Sequence, residues 1–147
     1  GGSPVISGAT WIVWLHLLAM AMWLGGAVVT VGAILPGIRD EAGRAVAKRA
    51  QFLTSRAMEA AVVTGALNVL LRAMASGGAF SRGFVAMLSL KVTLVIVMAA
   101  LQVWVGIAWR RPDTDVFAAA RKARVGLTIL LVVGAVVVLL GLSVRAM

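Results

Sequence analysis

The chain has 147 residues, 62% of them hydrophobic and 13% charged, with a mean hydropathy of +1.04 and a formal net charge of +9. Soluble domains are about half apolar and about one quarter charged, so this is the composition of a membrane protein. The absence of cysteine excludes disulfides, thiolate metal sites and thiol redox chemistry.

A helix needs about 20 mostly apolar residues to cross roughly 30 Å of hydrocarbon. Gly1, Gly2 and Ser3 look like an expression remnant, which leaves the native start open. The first apolar stretch, 11–35, is too long for a signal peptide and has no basic flank before it. It carries His16 and is predicted to break at Pro36-Gly37. The next segment, 39–56, lacks proline and is rich in alanine, so it should extend the second helix into water. The second span, 57–75, has Ala57, Ala61 and Gly65 at four-residue intervals, the spacing of close helix packing in lipid, and ends with Asn68 and Arg72. Gly77-Gly78 predicts a sharp stop and an antiparallel third helix. That helix, 84–109, carries Lys91 about two turns from its start. Pro112-Asp113-Thr114-Asp115 then supplies a break and helix N-cap residues. The fourth helix is predicted over 116–145, with an uncharged span 125–144 and packing glycines Gly134 and Gly141.

Ten of the fourteen basic residues fall in or beside the first and third connections: Arg39, Arg44, Lys48, Arg49 and Arg56, then Arg110, Arg111, Arg121, Lys122 and Arg124. The positive-inside rule places these connections in the cytoplasm and both termini outside. The basic excess therefore reads as topology, and no nucleic-acid partner is expected. Trp11 and Trp14 at one end and Trp109 at the other fit an interfacial aromatic belt. The expected fold is an all-α integral membrane protein of the cytoplasmic (inner) membrane, a single domain over 1–147. Its architecture is a four-helix up-and-down transmembrane bundle with both termini outside, and the lipid bilayer is its first partner.

An ionisable residue inside a span marks a functional site by default. At 1.5 Å per residue, His16 lies roughly 8 Å and Lys91 roughly 10 Å below the outer interface, at the end of the bundle that also holds Asn68 and Arg72. On the third helix Met98 and Gln102 lie about 20° to either side of Lys91, and Met87 within about 40°, so this stripe should face the interior. Met20 and Trp23 share the face of His16. Neutral imidazole ligates copper, zinc or haem iron, and thioethers suit copper(I). A copper(I) site would use His16 and Met20, helped by Met74 or Met87. A haem site would use His16 as axial ligand, with Lys91 or Arg72 serving the propionates or the iron. Glu59, the one acid within a span, sits far from His16, and paired carboxylates, serine-hydrolase and phosphate-loop arrangements are absent. The plainer readings are a hydrogen bond to a neighbouring helix for His16, snorkelling for Arg72 and apolar filling for the methionines. Lys91 is harder to read as filling, because a lysine at that depth costs up to roughly 3 kcal/mol on insertion scales.

Trp14-Leu15-His16-Leu17-Leu18 followed by Trp23-Leu24-Gly25-Gly26 resembles the opening helix of the copper resistance protein D (CopD-like) membrane domain. Thr64-Gly65-Ala66-Leu67-Asn68 is similar to that family's second-helix pattern, and Leu88-Ser89-Leu90-Lys91-Val92 to its third. The resemblance implies copper uptake or tolerance, through an outer-leaflet site at His16 with Met20 and Met87. Lys91, Asn68 and Arg72 would shape the field around it, and a homodimer or a partner membrane protein would complete a path across the membrane. More distantly, His16 and Lys91 resemble the His/Lys pair of the HemJ-type protoporphyrinogen oxidases, with faint echoes in Leu35-Pro36 and Met58-Glu59. That resemblance implies haem b and an oxidoreductase, although the chain lacks tyrosine and a second histidine, both expected there. A third reading is a structural or assembly subunit without cofactor.

Overall fold

The computed structural model describes residues 8–113 and 115–146. Gly1, Gly2 and Ser3 and the predicted cap residue Thr114 therefore lie outside the described residues, as does the side chain of Arg145. The described chain is all-helical: α1 (Gly8–Val29), a π-helical turn (Thr30–Ile34), a 3-10 turn (Leu35–Gly37), α2 (Glu41–Ala75), α3 (Arg82–Arg110) and α4 (Val116–Ala146). All four long helices are apolar and long enough to cross a membrane. Large apolar side chains such as Val62, Leu70, Ile96 and Leu139 point outward, as befits a surface solvated by lipid rather than water.

The helix ends follow local chemistry. Thr30 donates its hydroxyl to the Gly26 carbonyl at 2.7 Å, a back-bond that loosens the ladder just where α1 widens into the π turn. Pro36, with no N–H to give, then closes the helix through the 3-10 turn. Asp40 caps α2 by accepting from the Gly43 N–H at 3.0 Å, so α2 begins well before the apolar span and includes 41–56, as its alanines imply. At the other end Gly77 and Gly78 adopt φ of 64° and 83°, and the Gly78 N–H returns to the Ala73 carbonyl at 2.8 Å. This is the glycine-terminated stop expected from the sequence. Ser81 then caps α3 through the Phe84 N–H at 3.1 Å.

Cross-helix contacts establish the up-and-down order. Along α1, Gly26 meets Thr54 while His16 meets Gly65, so α1 and α2 are antiparallel. Gln102 meets Thr54 and Arg72 meets Phe84, which makes α2 and α3 antiparallel as well. Gly126 lies against Val105, Gly134 against Met98 and Gly141 near Lys91, which completes the series for α4. The first and third connections share one end of the bundle, here called the basic end, and the start of α1 and the end of α4 lie toward the other, terminus-bearing end. Arg44 ties that end together, donating to the Arg111 carbonyl at 3.2 Å and pairing with Glu41 at 3.3 Å.

Packing is uneven along the axis. Trp23, Met98, Gln102, Val105, Trp109, Leu130 and Val137 are sealed from solvent in the middle and basic part of the bundle. From 62 to 97, across the terminus-bearing end of α2 and α3, no described residue is buried. Trp109 departs from the belt expectation: it is 1% exposed and belongs to the buried apolar core. Trp11 and Trp14 do face outward, edge to face with centroids 5.8 Å apart.

Candidate functional site

His16 sits in the seam between α1 and α2, in the loosely packed half of the bundle. Its ring packs closely against Gly65. A Cβ at Gly65 would stand 3.1 Å from the imidazole Cε1 and 3.5 Å from Nδ1. The ring is oriented by its Nδ1–H, which donates to the Ala61 carbonyl at 2.9 Å and lies 3.0 Å from the Thr64 hydroxyl oxygen. Thr64 spends its own proton on the Ala60 carbonyl at 2.6 Å, so it faces His16 as an acceptor. The tautomer follows from these partners: the proton is on Nδ1 and the lone pair on Nε2, which has no hydrogen-bond partner among the described residues. A ligating histidine is commonly held in this way, with one nitrogen fixed to a carbonyl and the other presented to a metal.

The structure brings some of the sequence-predicted residues to His16 and leaves others apart. Lys91 is half-buried, its Nζ 3.8 Å from where a Cβ at Gly141 would stand. Gly141, read from sequence as a packing residue, lies beside this ammonium, and a Cβ there would make only an ordinary contact with it. Met20 is half-buried one turn deeper than His16 on the same helix and packs on the core. Asn68 is half-buried one turn beyond Thr64. Arg72 is exposed, its guanidinium 4.3 Å from the centroid of the Phe84 ring, so it closes on the start of α3 instead of joining His16. Met87 is half-buried, about 12 Å further toward the terminus-bearing end than His16 in the α1–α3 register fixed by Trp23 and Gln102. Met74 is 70% exposed at the end of α2. Among the described residues no group of three or more His, Asp or Glu side chains is placed to hold a metal ion.

Sequence reading missed a second polar constellation. Gln102 is fully buried and joins three helices. It accepts from Trp23 Nε1 at 3.1 Å, and its Nε2 donates to Thr54 Oγ1 at 2.9 Å and reaches Ser55 Oγ at 3.2 Å. Gln51 Nε2 donates to the Gln102 carbonyl at 2.7 Å. The inward position of Gln102 was legible from its phase with Lys91. Its partners were not, because Thr54, Ser55 and Gln51 fall in the part of α2 read as reaching into water. The chain matches no family model, no curated protein and no solved structure.

Gly65 offers a local test of the seam. Gly65→Val should displace the imidazole and weaken any ligand at Nε2 by about tenfold, the scale of losing a histidine's orienting hydrogen bond. Helical circular dichroism should stay unchanged, because the residue lies in the loosely packed half. Retention of full ligand affinity in this variant would show that ring placement is not set by the seam.

Proposed function

We propose that this is a copper-handling membrane protein of CopD-like type, with copper(I) taken up at His16. The observation that carries the reading is the ring geometry: Nδ1–H is fixed on the Ala61 carbonyl, Nε2 has no hydrogen-bond partner among the described residues, and Met20 lies one turn along the same helix. An imidazole and a thioether form a donor set suited to copper(I). By the charge distribution the basic end faces the cytoplasm and the site lies in the outer half of the inner membrane. Copper enters as cargo, and two soft donors from one chain leave coordination positions for a second copy or a partner membrane protein.

A b-type haem is the second reading, and Lys91 favours it. A lysine ammonium inside the span, toward the same end of the bundle as His16, opposes a bound cation but complements a propionate. His16 Nε2 would then be the axial ligand, and the bound group would supply electron-transfer chemistry.

One experiment separates the readings. The detergent-purified protein is titrated with copper(I) against a chromophoric competitor, and its visible spectrum is recorded after haem reconstitution. Copper handling predicts that His16→Ala weakens copper(I) binding by about a hundredfold, the scale of losing one of two or three ligands, while Met20→Leu weakens it less. A Soret band that His16→Ala abolishes and Met20→Leu spares would replace copper with haem. Neither signal would leave a structural or assembly subunit.

A further inference from the structure

Away from His16, toward the basic end, a cleft of about 400 Å³ lies between side chains of α2 and α3. Its layers differ in chemistry. The floor is polar: Gln51 and Ser55 lie there, both engaged with Gln102. Gly106 keeps the floor in place, since a Cβ there would come within 3.2 Å of Gln51 Nε2. The aromatic rings of Phe52 and Trp109 form apolar walls. Lys48, Arg56 and Arg110 supply the cations.

These cations are not equivalent. Arg56 is paired with Glu59 at 2.8 Å and lies over Phe52 at 5.2 Å from the ring centroid, so it is already neutralised and serves as wall. Lys48 and Arg110 have no carboxylate partner among the described residues. With Glu59 the only carboxylate in the lining, the cleft carries an excess of two positive charges. Two unneutralised cations above a hydroxyl and an amide are suited to a phosphodiester. The depth is also suitable, because the cleft lies where the apolar span of α2 gives way to its charged extension, the level of lipid headgroups. Just beyond it, Val103 and Ile107 are outward-facing and offer a track for acyl chains.

The structure assigns this cleft to the headgroup of an anionic phospholipid, with its phosphate between Lys48 and Arg110 and its chains along the α2–α3 face. A zwitterionic headgroup would bring its own cation toward these two and is disfavoured. The second cleft at this end, about 380 Å³ between the α1 exit and α4, has Arg121 and Arg124 over Leu35, Pro36, Ile38 and Phe117, without an amide or hydroxyl on its floor. It therefore provides a matched control. The assignment is independent of what His16 binds.

The test is native mass spectrometry of the full chain released from mixed micelles containing equal phosphatidylglycerol and phosphatidylcholine. Wild-type protein should retain phosphatidylglycerol about tenfold over phosphatidylcholine, the scale of two interfacial cations acting on one phosphate. The variant K48Q/R110Q should lose the preference, while R121Q/R124Q, with the same change in net charge, should keep it. Thermal melts provide an independent reading: phosphatidylglycerol should raise the midpoint of the wild type and not of K48Q/R110Q. Preference surviving in K48Q/R110Q, or lost equally in both double variants, would overturn the assignment. So would equal stabilisation by inorganic phosphate, which would mark a site for a free anion.

Discussion

Gln102→Leu should cost the bundle about 2–4 kcal/mol, although leucine is of similar size and better suited to lipid. Four interhelical hydrogen bonds converge on Gln102, from Trp23, Thr54, Ser55 and Gln51. Single interhelical bonds in membranes average only about 0.6 kcal/mol, which alone gives the lower end of the range. The rest comes from Trp23, whose buried indole N–H is left with no acceptor at a position 0% exposed to solvent. The Gln51 bond survives, because its acceptor is backbone. The measurement is helical circular dichroism across a titration of mixed micelles with a denaturing detergent. Trp23→Phe added to Gln102→Leu should recover the part owed to the stranded indole and not the part owed to the lost bonds, since removing both partners of a buried bond strands neither. A Gln102→Leu midpoint equal to wild type would show that the node carries no stability.

The adjacent glycines of α1 should respond with opposite signs. A Cβ at Gly26 would lie 2.5 Å from Thr54 Cγ2, whereas a Cβ at Gly25 meets nothing within 4 Å. Thr54 cannot turn away without loss, because its Oγ1 accepts from Gln102 and donates to the Ala50 carbonyl at 3.0 Å. Gly26→Ala must therefore push α1 off α2, and we expect a loss of about 1–3 kcal/mol from overpacking. Gly25→Ala keeps the packing and gains up to about 1 kcal/mol of helix propensity. Thr54→Ser in the Gly26→Ala background removes the clashing methyl and keeps the hydroxyl, so it should restore much of the stability. Equal midpoints for the two alanine variants would refute a close α1–α2 approach at this level.

Much of the bundle was readable along the chain. The four apolar stretches, the Pro36-Gly37 break, the Gly77-Gly78 stop and the reach of α2 toward Asp40 each depend on chemistry local to a few residues. So does the suspicion attached to His16 and Lys91, since a titratable group in an apolar run is conspicuous without knowledge of its neighbours. Depth counting put both toward one end, where His16 meets Gly65 and Lys91 lies near Gly141. It also assigned Met87 and Arg72 to the same group, but depth says nothing of where a long side chain goes, and Arg72 lies over Phe84.

The amino-acid sequence thus determined the number of helices, their limits and the residues that lipid makes expensive. Only the tertiary structure decided that Trp109 belongs to the core and that Gln102 joins α1, α2 and α3. It alone placed Nδ1 of His16 on the Ala61 carbonyl and left a basic cleft between α2 and α3. The physical reason is common to these cases. Hydropathy and capping act within one helix, whereas each of these contacts depends on the relative rotation and register of two or three helices. Those are fixed by the summed packing of many small and apolar side chains, none of which marks its partner in the sequence.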